Sequence, residues 1–522
     1  LIDHHEASNM TGTSLLTEQR PQRVDLSALI DHRPEALLDA VFEVEPAGDR
    51  SFIFYRPGGI ENIRHVDLML QVENLADALS AKGVRAGDRI GVCAGNGLEW
   101  VLLDLAALRL GAITAGFNSG DFRADAELAR RHGLSCLFAD NGAEGTLPIA
   151  SVREMAVAGG ASAPARPVRG PRDTLALKFT SGSTGAAKAL AASYGSAGMS
   201  IAATQDMFAH GREDRLFVFL TLSLLQQRYW VYSAILFGCD LVVSTPALAL
   251  HALRDSAPTV LMGVPAFYET LCQMIKAEGG DRAAAEAVTG GRIRYMWTGS
   301  APIRGEVLRF LEDDCALPIY EGYGLNETCI ATKNHPRAHR RGSAGRAVRG
   351  KEILIGADGI VRVRSRFPVN CRYESAPDGA SELVFEGDDI VVTGDLGHLD
   401  EDGYLWIQGR ADDVVVLENA KNVSVRPIEE ALRGLPGVAQ IVLCGNGKPH
   451  LRAIVEIAPG HAPHTVLAAV RDAPAAAPSH HIQHAIAAVL PLSEANGMLT
   501  SQGKPRRAAI IEAHRDLLEN LN

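Results

Sequence analysis

Leu175-Ala-Leu-Lys-Phe-Thr-Ser-Gly-Ser-Thr-Gly-Ala-Ala-Lys188 decides the reading of this chain. An apolar strand runs into a loop dense in glycine, serine and threonine, and Lys188 closes it. Glycines let the main chain approach an anion closely, hydroxyls and amide N–H groups donate to its oxygens, and the lysine adds positive charge. The stretch therefore predicts a phosphate-cradling loop. It is not a Walker A loop, because the GxxxxGK[ST] spacing is absent.

Working outward, the neighbouring sequence alternates short apolar runs with helical stretches. Arg89–Cys93 reads as a buried strand, Leu98–Leu110 as a helix and Gly111–Phe117 as a second strand, a parallel right-handed crossover. Arg215–Leu220, Leu241–Ser244, Val260–Met262 and Ile293–Trp297 read as further buried strands. Helices are predicted around Val231–Phe237, Pro265–Lys276 and Pro302–Glu312. The pattern predicts an α/β chain with doubly wound sheets. Lys351–Val363 and Leu383–Leu396 predict a small β-rich unit, with Asp358-Gly359 as a hairpin turn. Ala158–Arg172 reads as a surface linker and Ala458–Ser479 as an exposed Ala/Pro/His-rich segment. The polar run Gln408–Asp413 places a boundary near Gly409. Residues 11–408 are thus expected to form a large N-terminal domain, and 409–522 a smaller mobile α+β lid.

Composition limits the function classes. The chain has 522 residues, 47% of them hydrophobic and 22% charged, which excludes disorder along its whole length. Its formal charge of −11 argues against a nucleic-acid partner held by phosphate contacts. Eight scattered cysteines form no CxxC pair, so reduced, mostly buried thiols and a cytoplasmic setting are expected. No apolar run reaches ~18 residues, so no membrane partner is expected. Leu1–Asn9, with His4-His5 ahead of Met10, reads as a non-native extension, and no secretory pattern follows it.

Three further motifs make the loop specific. Tyr323-Gly-Leu-Asn-Glu-Thr328 resembles a YGxTE element. Thr393-Gly-Asp-Leu-Gly397 and Gly403-Tyr-Leu-Trp-Ile-Gln-Gly-Arg-Ala-Asp-Asp413 resemble a TGD…GYxxxxGRxDD block. Asn496-Gly-Met-Leu-Thr-Ser-Gln-Gly-Lys-Pro-Arg-Arg507 resembles a C-terminal lysine motif. In this order, over residues ~50–515, they resemble the acyl-adenylate-forming superfamily: acyl-CoA synthetases, nonribosomal peptide adenylation domains and luciferase-like ligases.

The resemblance implies ATP-dependent activation of a carboxylic acid to acyl-AMP with release of pyrophosphate. A thiol, either CoA or carrier-protein phosphopantetheine, then takes the acyl group. Thr180, Ser181, Gly182, Ser183, Thr184, Gly185 and Lys188 would hold the β- and γ-phosphates. Glu327 would hold Mg²⁺, Asn326 would stand beside the α-phosphate, and Asp395 would bind the ribose hydroxyls. Arg410 would bind ribose or phosphate. Tyr323, with Glu321, Gly322 and Gly324, would form one side of the adenine slot; Gly299, Ser300 and Ala301 would form the other. Lys504 would stabilise charge on the transferred group, and Asp412 matches the hinge of the lid.

The chain departs from the family pattern in places. Asn326 replaces the usual threonine but still offers a donor. Ala420 replaces a glycine lining the pantetheine tunnel, which keeps open an adenylate-forming enzyme with a non-thiol acceptor such as an amine. The place where α-amino-acid-activating domains carry an aspartate falls near Leu225, which disfavours a standard α-amino acid and favours an aryl or acyl acid. Gln226, Gln227, Tyr229 and Trp230 line a pocket on one reading, and belong to a helix packing its apolar side into the core on the other. A non-catalytic acyl-AMP- or ATP-binding protein predicts decay of Lys188, Glu327 or Lys504, and all three are present. No GxSxG occurs, which removes a serine hydrolase.

Overall fold

The computed structural model describes residues 24–521, apart from 142, 159–163, 181–187, 420, 475–479, 494 and 500–504. Among the described residues, two large sheets carry most of the chain. The first has six strands in the order Leu147–Pro148, Cys136–Ala139, Arg89–Cys93, Ile113–Gly116, Thr174–Thr180 and Lys188–Ser193. All its pairs are parallel except the last. The second has nine strands, from Arg346–Ala347 through Cys329–Lys333, Ile319–Leu325, Tyr295–Thr298, Val260–Gly263, Arg215–Val218, Asp240–Val243 and Ser51–Arg56 to Gly59–Arg64. Its centre is parallel and its two ends are antiparallel.

One continuous apolar cluster joins the two sheets. It contains Phe52, Phe54, Val218 and Val243 from the nine-stranded sheet, and Ile90, Val92, Ala176 and Leu190 from the six-stranded one. Leu98–Leu110 contributes Leu102, Leu103, Leu105 and Ala106 and is buried on nearly every side, as a helix between layers must be. It ends where Gly111 takes a left-handed conformation (φ +70°), which glycine adopts without a Cβ clash.

Leu225–Phe237 is one helix, six residues longer than the apolar pattern predicts. Its polar first turn is buried because it has internal partners. Arg228 Nη1 donates to Asp104 Oδ1 at 2.8 Å, and Tyr232 donates to Asp104 Oδ2 at 2.6 Å. The predicted Pro302–Glu312 helix is a short α-helix, Gly305–Arg309, followed by a π turn over Phe310–Asp314.

A third sheet pairs Lys351–Ile355, Ile360–Ser365, Ile390–Leu399, Phe385–Glu386 and Leu405–Arg410. The expected turn at Asp358-Gly359 is there, with Gly359 at φ +74°. The polar run ends this sheet: Gln408–Arg410 completes the last strand and Ala411–Asp413 is a 3-10 turn. Beyond it, Val438–Cys444, Leu451–Ile457 and Ile482–Ala487 form a three-stranded sheet. The segment read as exposed, Ala458–Ser479, instead contains the helix Pro463–Arg471. Val466 and Val470 recur four apart on one face and are buried in the local core, a period the surrounding alanines and prolines obscure. All eight cysteines are free thiols. No helix among the described residues is long and apolar enough to cross a membrane.

Candidate active site

Thr174–Thr180 and Lys188–Ser193 pair antiparallel with Thr180 opposite Lys188, so residues 181–187 link the end of a hairpin. Ser181, Gly182, Ser183, Thr184 and Gly185 lie outside the described residues, as does the Thr180 side chain. Lys188 sits with its Nζ 4.9 Å from the centre of the Tyr373 ring. Tyr373 donates to Glu327 Oε1 at 2.6 Å. Burial, with the Glu327 charge alongside, pushes the Tyr373 phenol far above its ordinary value, so it remains a donor. Main-chain bonds between Ala189 and the Glu374–Ser375 segment strap Tyr373 beside the hairpin. Tyr373 therefore brings Lys188 and Glu327 to one place.

Glu327 is carried by a tight turn. Leu325 pairs with Cys329, and Leu325 N–H donates to Thr328 Oγ1 at 2.8 Å. A Cβ on Gly324 would lie 1.9 Å from the Cys329 carbonyl oxygen, so only glycine fits there. Two lysines hold the turn from below. Lys178 Nζ donates to the Asn326 carbonyl at 2.6 Å, and Lys351 Nζ donates to the Thr328 carbonyl at 2.9 Å and Ser365 Oγ at 2.8 Å. Cys329 Sγ lies 3.7 Å from Lys178 Nζ and 3.4 Å from the Tyr229 hydroxyl. Burial opposes ionisation of this thiol, but the Lys178 and Lys351 charges and the Tyr229 hydrogen bond outweigh it and hold it below the ordinary thiol value. Burial brings Lys351 down to about 8, with Lys178 adding to the effect against Cys329.

The nucleoside end of the site is built from strand ends. Tyr295–Thr298 and Ile319–Leu325 run parallel with Thr298 opposite Glu321, so the Gly299–Ala301 turn and Glu321–Tyr323 emerge side by side. The carboxyl ends of parallel strands are where α/β sheets bind ligands. Tyr323 donates to Asp395 Oδ2 at 2.5 Å. Asp395 is 6% exposed and is paired across the third sheet with Arg410, whose Nη1 reaches Asp395 Oδ1 at 3.3 Å and the Thr393 carbonyl at 2.9 Å. Glu321 accepts from the Gly342 N–H at 2.8 Å, and burial raises its carboxyl to about 7.

A small, partly open cavity lies between the helices Tyr194–Phe208 and Leu225–Phe237 and the nine-stranded sheet. Tyr229, Trp230, Trp297, Ile201 and Ile330 form its apolar wall, and Ser200, Thr204, Gln226 and Ser233 its polar one. Among the described residues no charged side chain lines it. Trp297 is backed by the buried Lys333, whose Nζ lies 3.8 Å from the ring centre and donates to the Tyr320 carbonyl. Leu225, in contrast, is 1% exposed within the main core and does not line the cavity. Gln227 points its amide N–H at Met262 Sδ.

Lys504 and Ala420 lie outside the described residues, and so does the Asp412 side chain. The chain just after Lys504 is anchored. Arg507 donates twice to Glu429, at 2.6 and 2.9 Å, and its Nη2 reaches Asp413 Oδ1 at 3.1 Å. Motif reading did not find Lys178, Lys351 or Tyr373 as parts of this site. Each meets its partner across long stretches of sequence, so only Lys178, two residues before the hairpin's end, carried any local signal.

The family profile of AMP-binding enzymes matches residues 42–359, more than half of the chain. The chain belongs to the AMP-binding enzyme family. It is thereby an AMP-forming acid ligase, which uses ATP to make an acyl-AMP. The profile of the AMP-binding enzyme C-terminal domain matches residues 412–522. The chain is 26% identical over 501 residues to a long-chain-fatty-acid–CoA ligase, FadD15, of Mycobacterium bovis, covering 80% of this chain and 81% of that one. It is also 26% identical over 428 residues to an indoleacetate–CoA ligase of Aromatoleum aromaticum, covering 74% and 80%. Two solved structures share the fold. ATP-bound MatB of Rhodopseudomonas palustris matches with a TM-score of 0.73 at 22% identity, over 92% of this chain and 99% of that one. O-succinylbenzoate coenzyme A synthetase of Bacillus subtilis, with ATP and magnesium, matches with 0.72 at 19%, over 91% and 98%.

Proposed function

We propose that this AMP-forming ligase activates a compact, flat carboxylic acid without an α-ammonium group, and that CoA takes the acyl group from the adenylate. The observation that carries the substrate class is the uncharged cavity walled by Trp230, Trp297 and Tyr229. An α-ammonium group buried there would find no counter-ion, and burying an unpaired charge is costly. Two indoles, with ring centres 5.8 Å apart and nearly perpendicular, favour a planar guest over an extended chain. Gln226 and the three hydroxyls can orient a polar substituent on it.

In the first step the acid's carboxylate oxygen attacks the α-phosphorus of ATP and pyrophosphate leaves. Bringing several anions together makes positioning and charge neutralisation the main tasks. The residue 180–188 hairpin link and Lys188 hold the β- and γ-phosphates. Asp395 accepts from the ribose hydroxyls while Tyr323 and Arg410 keep it oriented. The Tyr323 ring and the Gly299–Ala301 turn flank the adenine. Lys504 enters from the C-terminal domain, 409–522, with Asp412 at its hinge, to stabilise charge on the transferred carboxylate. Glu327 suits Mg²⁺, which takes one or two carboxylates together with phosphate oxygens; among the described residues no three His, Cys, Asp or Glu gather as a self-sufficient metal site. In the second step the CoA thiolate attacks the acyl carbon and AMP leaves. Phosphopantetheine on a carrier protein offers the same thiol. Ala420 supports a second reading, in which an amine is the acceptor.

The test is carboxylate-dependent ATP–pyrophosphate exchange over aryl, short-, medium- and long-chain acids and amino acids. Exchange confined to aryl or similarly flat acids is expected. Exchange only with long-chain or α-amino acids would overturn the substrate class. CoA added to the active acid then distinguishes thiol from amine transfer.

A further inference from the structure

Two ammonium groups, one buried and one half-buried, lie beneath the turn that carries Glu327, and among the described residues neither has a carboxylate partner. Lys178 is 6% exposed and Lys351 is half-buried. Their acceptors are two main-chain carbonyls, one hydroxyl and one thiol. Among the described residues neither forms an ion pair, although the same region holds Asp and Glu side chains paired elsewhere with arginine. Even with the Cys329 thiol fully ionised, two cations face one anion, and a net positive charge is left below the turn.

Uncompensated buried charge is expensive unless something pairs with it. Among the described residues, the groups hydrogen-bonded to the pair include no carboxylate. The turn gives Asn326, Thr328 and Cys329, the long helix gives the Tyr229 hydroxyl, and the third sheet gives Ser365. The turn's outer side carries Glu327 and adjoins Lys188. We propose that Lys178 and Lys351 are a buried cationic floor whose missing counter-charge is the triphosphate of ATP, so that these two lysines set the site's preference for the charged nucleotide over its uncharged nucleoside. The inference rests on the placing of the phosphates beside Lys188 and Glu327 given above.

The two lysines act through space and through the turn's carbonyls, as positioning residues that do not touch the nucleotide. Their effect scales with the ligand's charge, which separates it from a packing role. A lost packing contact loosens the turn for every ligand alike. A lost charge weakens ATP and spares adenosine.

The experiment is calorimetric binding of Mg–ATP and of adenosine to wild type, Lys178→Met, Lys351→Met and Lys351→Gln, with no acid present. The expected result is roughly tenfold weaker ATP binding per lysine removed, with adenosine affinity unchanged. Glutamine keeps a donor for the Thr328 carbonyl but no charge, so Lys351→Gln is expected to match Lys351→Met. Parallel weakening of both ligands, unchanged ATP affinity, or rescue by glutamine would each overturn the proposal. If Lys178→Met does not fold, the half-buried Lys351 carries the test alone. Because no acid enters the assay, failure of acid activation in the exchange assay is read separately from failure here.

Discussion

Replacing Arg507 with alanine tests how the C-terminal motif is held. The guanidinium makes two bonds to Glu429, at 2.6 and 2.9 Å, one to the Leu443 carbonyl at 2.7 Å, and reaches Asp413 at 3.1 Å. Glu429 is 3% exposed, and without Arg507 its carboxylate keeps, among the described residues, the Leu443 N–H alone. Breaking a buried pair from one side costs about 3–5 kcal/mol, because it strands the remaining charge. Asp413 is better solvated and adds little. Local stability is a fraction of the whole chain's, and domains hold only ~5–15 kcal/mol, so Arg507→Ala is expected to melt the C-terminal sheet early. Calorimetry should split one transition into two or move the lower one down. Pyrophosphate exchange should fall with it, since Lys504 lies three residues upstream. The partner change Glu429→Leu should recover part of the loss in the double variant, because a packed apolar side chain needs no counter-ion. A loss below 1 kcal/mol for Arg507→Ala, or no recovery in the double variant, would refute the reasoning.

Three other expectations follow from the same contacts. Tyr323→Phe keeps the ring but takes one donor from the buried Asp395, which should cost about 1.5–3 kcal/mol in urea unfolding; a change under 0.5 kcal/mol (about the noise of a surface substitution) would show that the bond is dispensable. Burial raises Glu321 from 4.5 to about 7, so the folded state holds this proton more tightly than the unfolded state. Its contribution is fully present below pH ~4.5 and is lost as pH rises through about 7, on the order of 3 kcal/mol at most; Glu321→Gln should flatten that part of the stability profile, and an unchanged profile would remove Glu321 as its source. Ile330→Ala should enlarge the cavity at a cost of about 2–4 kcal/mol and shift the exchange panel towards acids with bulkier ring substituents; an unaltered ranking would take Ile330 out of the acid's wall.

What the sequence disclosed was local. Leu98–Leu110 is a helix over the expected residues, because its apolar run and closing glycine are contiguous signals. Arg89–Cys93 is likewise the expected strand. The strand expected ahead of the Gly/Ser/Thr-rich loop is Thr174–Thr180, while loop residues 181–187 lie outside the described residues. What it concealed depends on partners far along the chain. Gln227 and Arg228 break the apolar pattern until Asp104 and Met262 are placed beside them, and so that pattern marks the helix only from Val231. Tyr373 stands 46 residues from Glu327 in an irregular segment, with no periodicity to mark it. Lys178 reaches the Asn326 carbonyl from 148 residues away.

The helix Leu225–Phe237 has two faces with separate duties. Gln226, Tyr229, Trp230 and Ser233 recur at helical spacing and turn towards the cavity. Arg228 and Tyr232 recur four apart and lock onto Asp104 of the central helix. Anchorage and recognition are thus written in different letters of the same segment. Mutation can rewrite the guest-facing letters while the Asp104 clasp keeps the helix in register, so substrate range can diverge without the chain having to rediscover its fold.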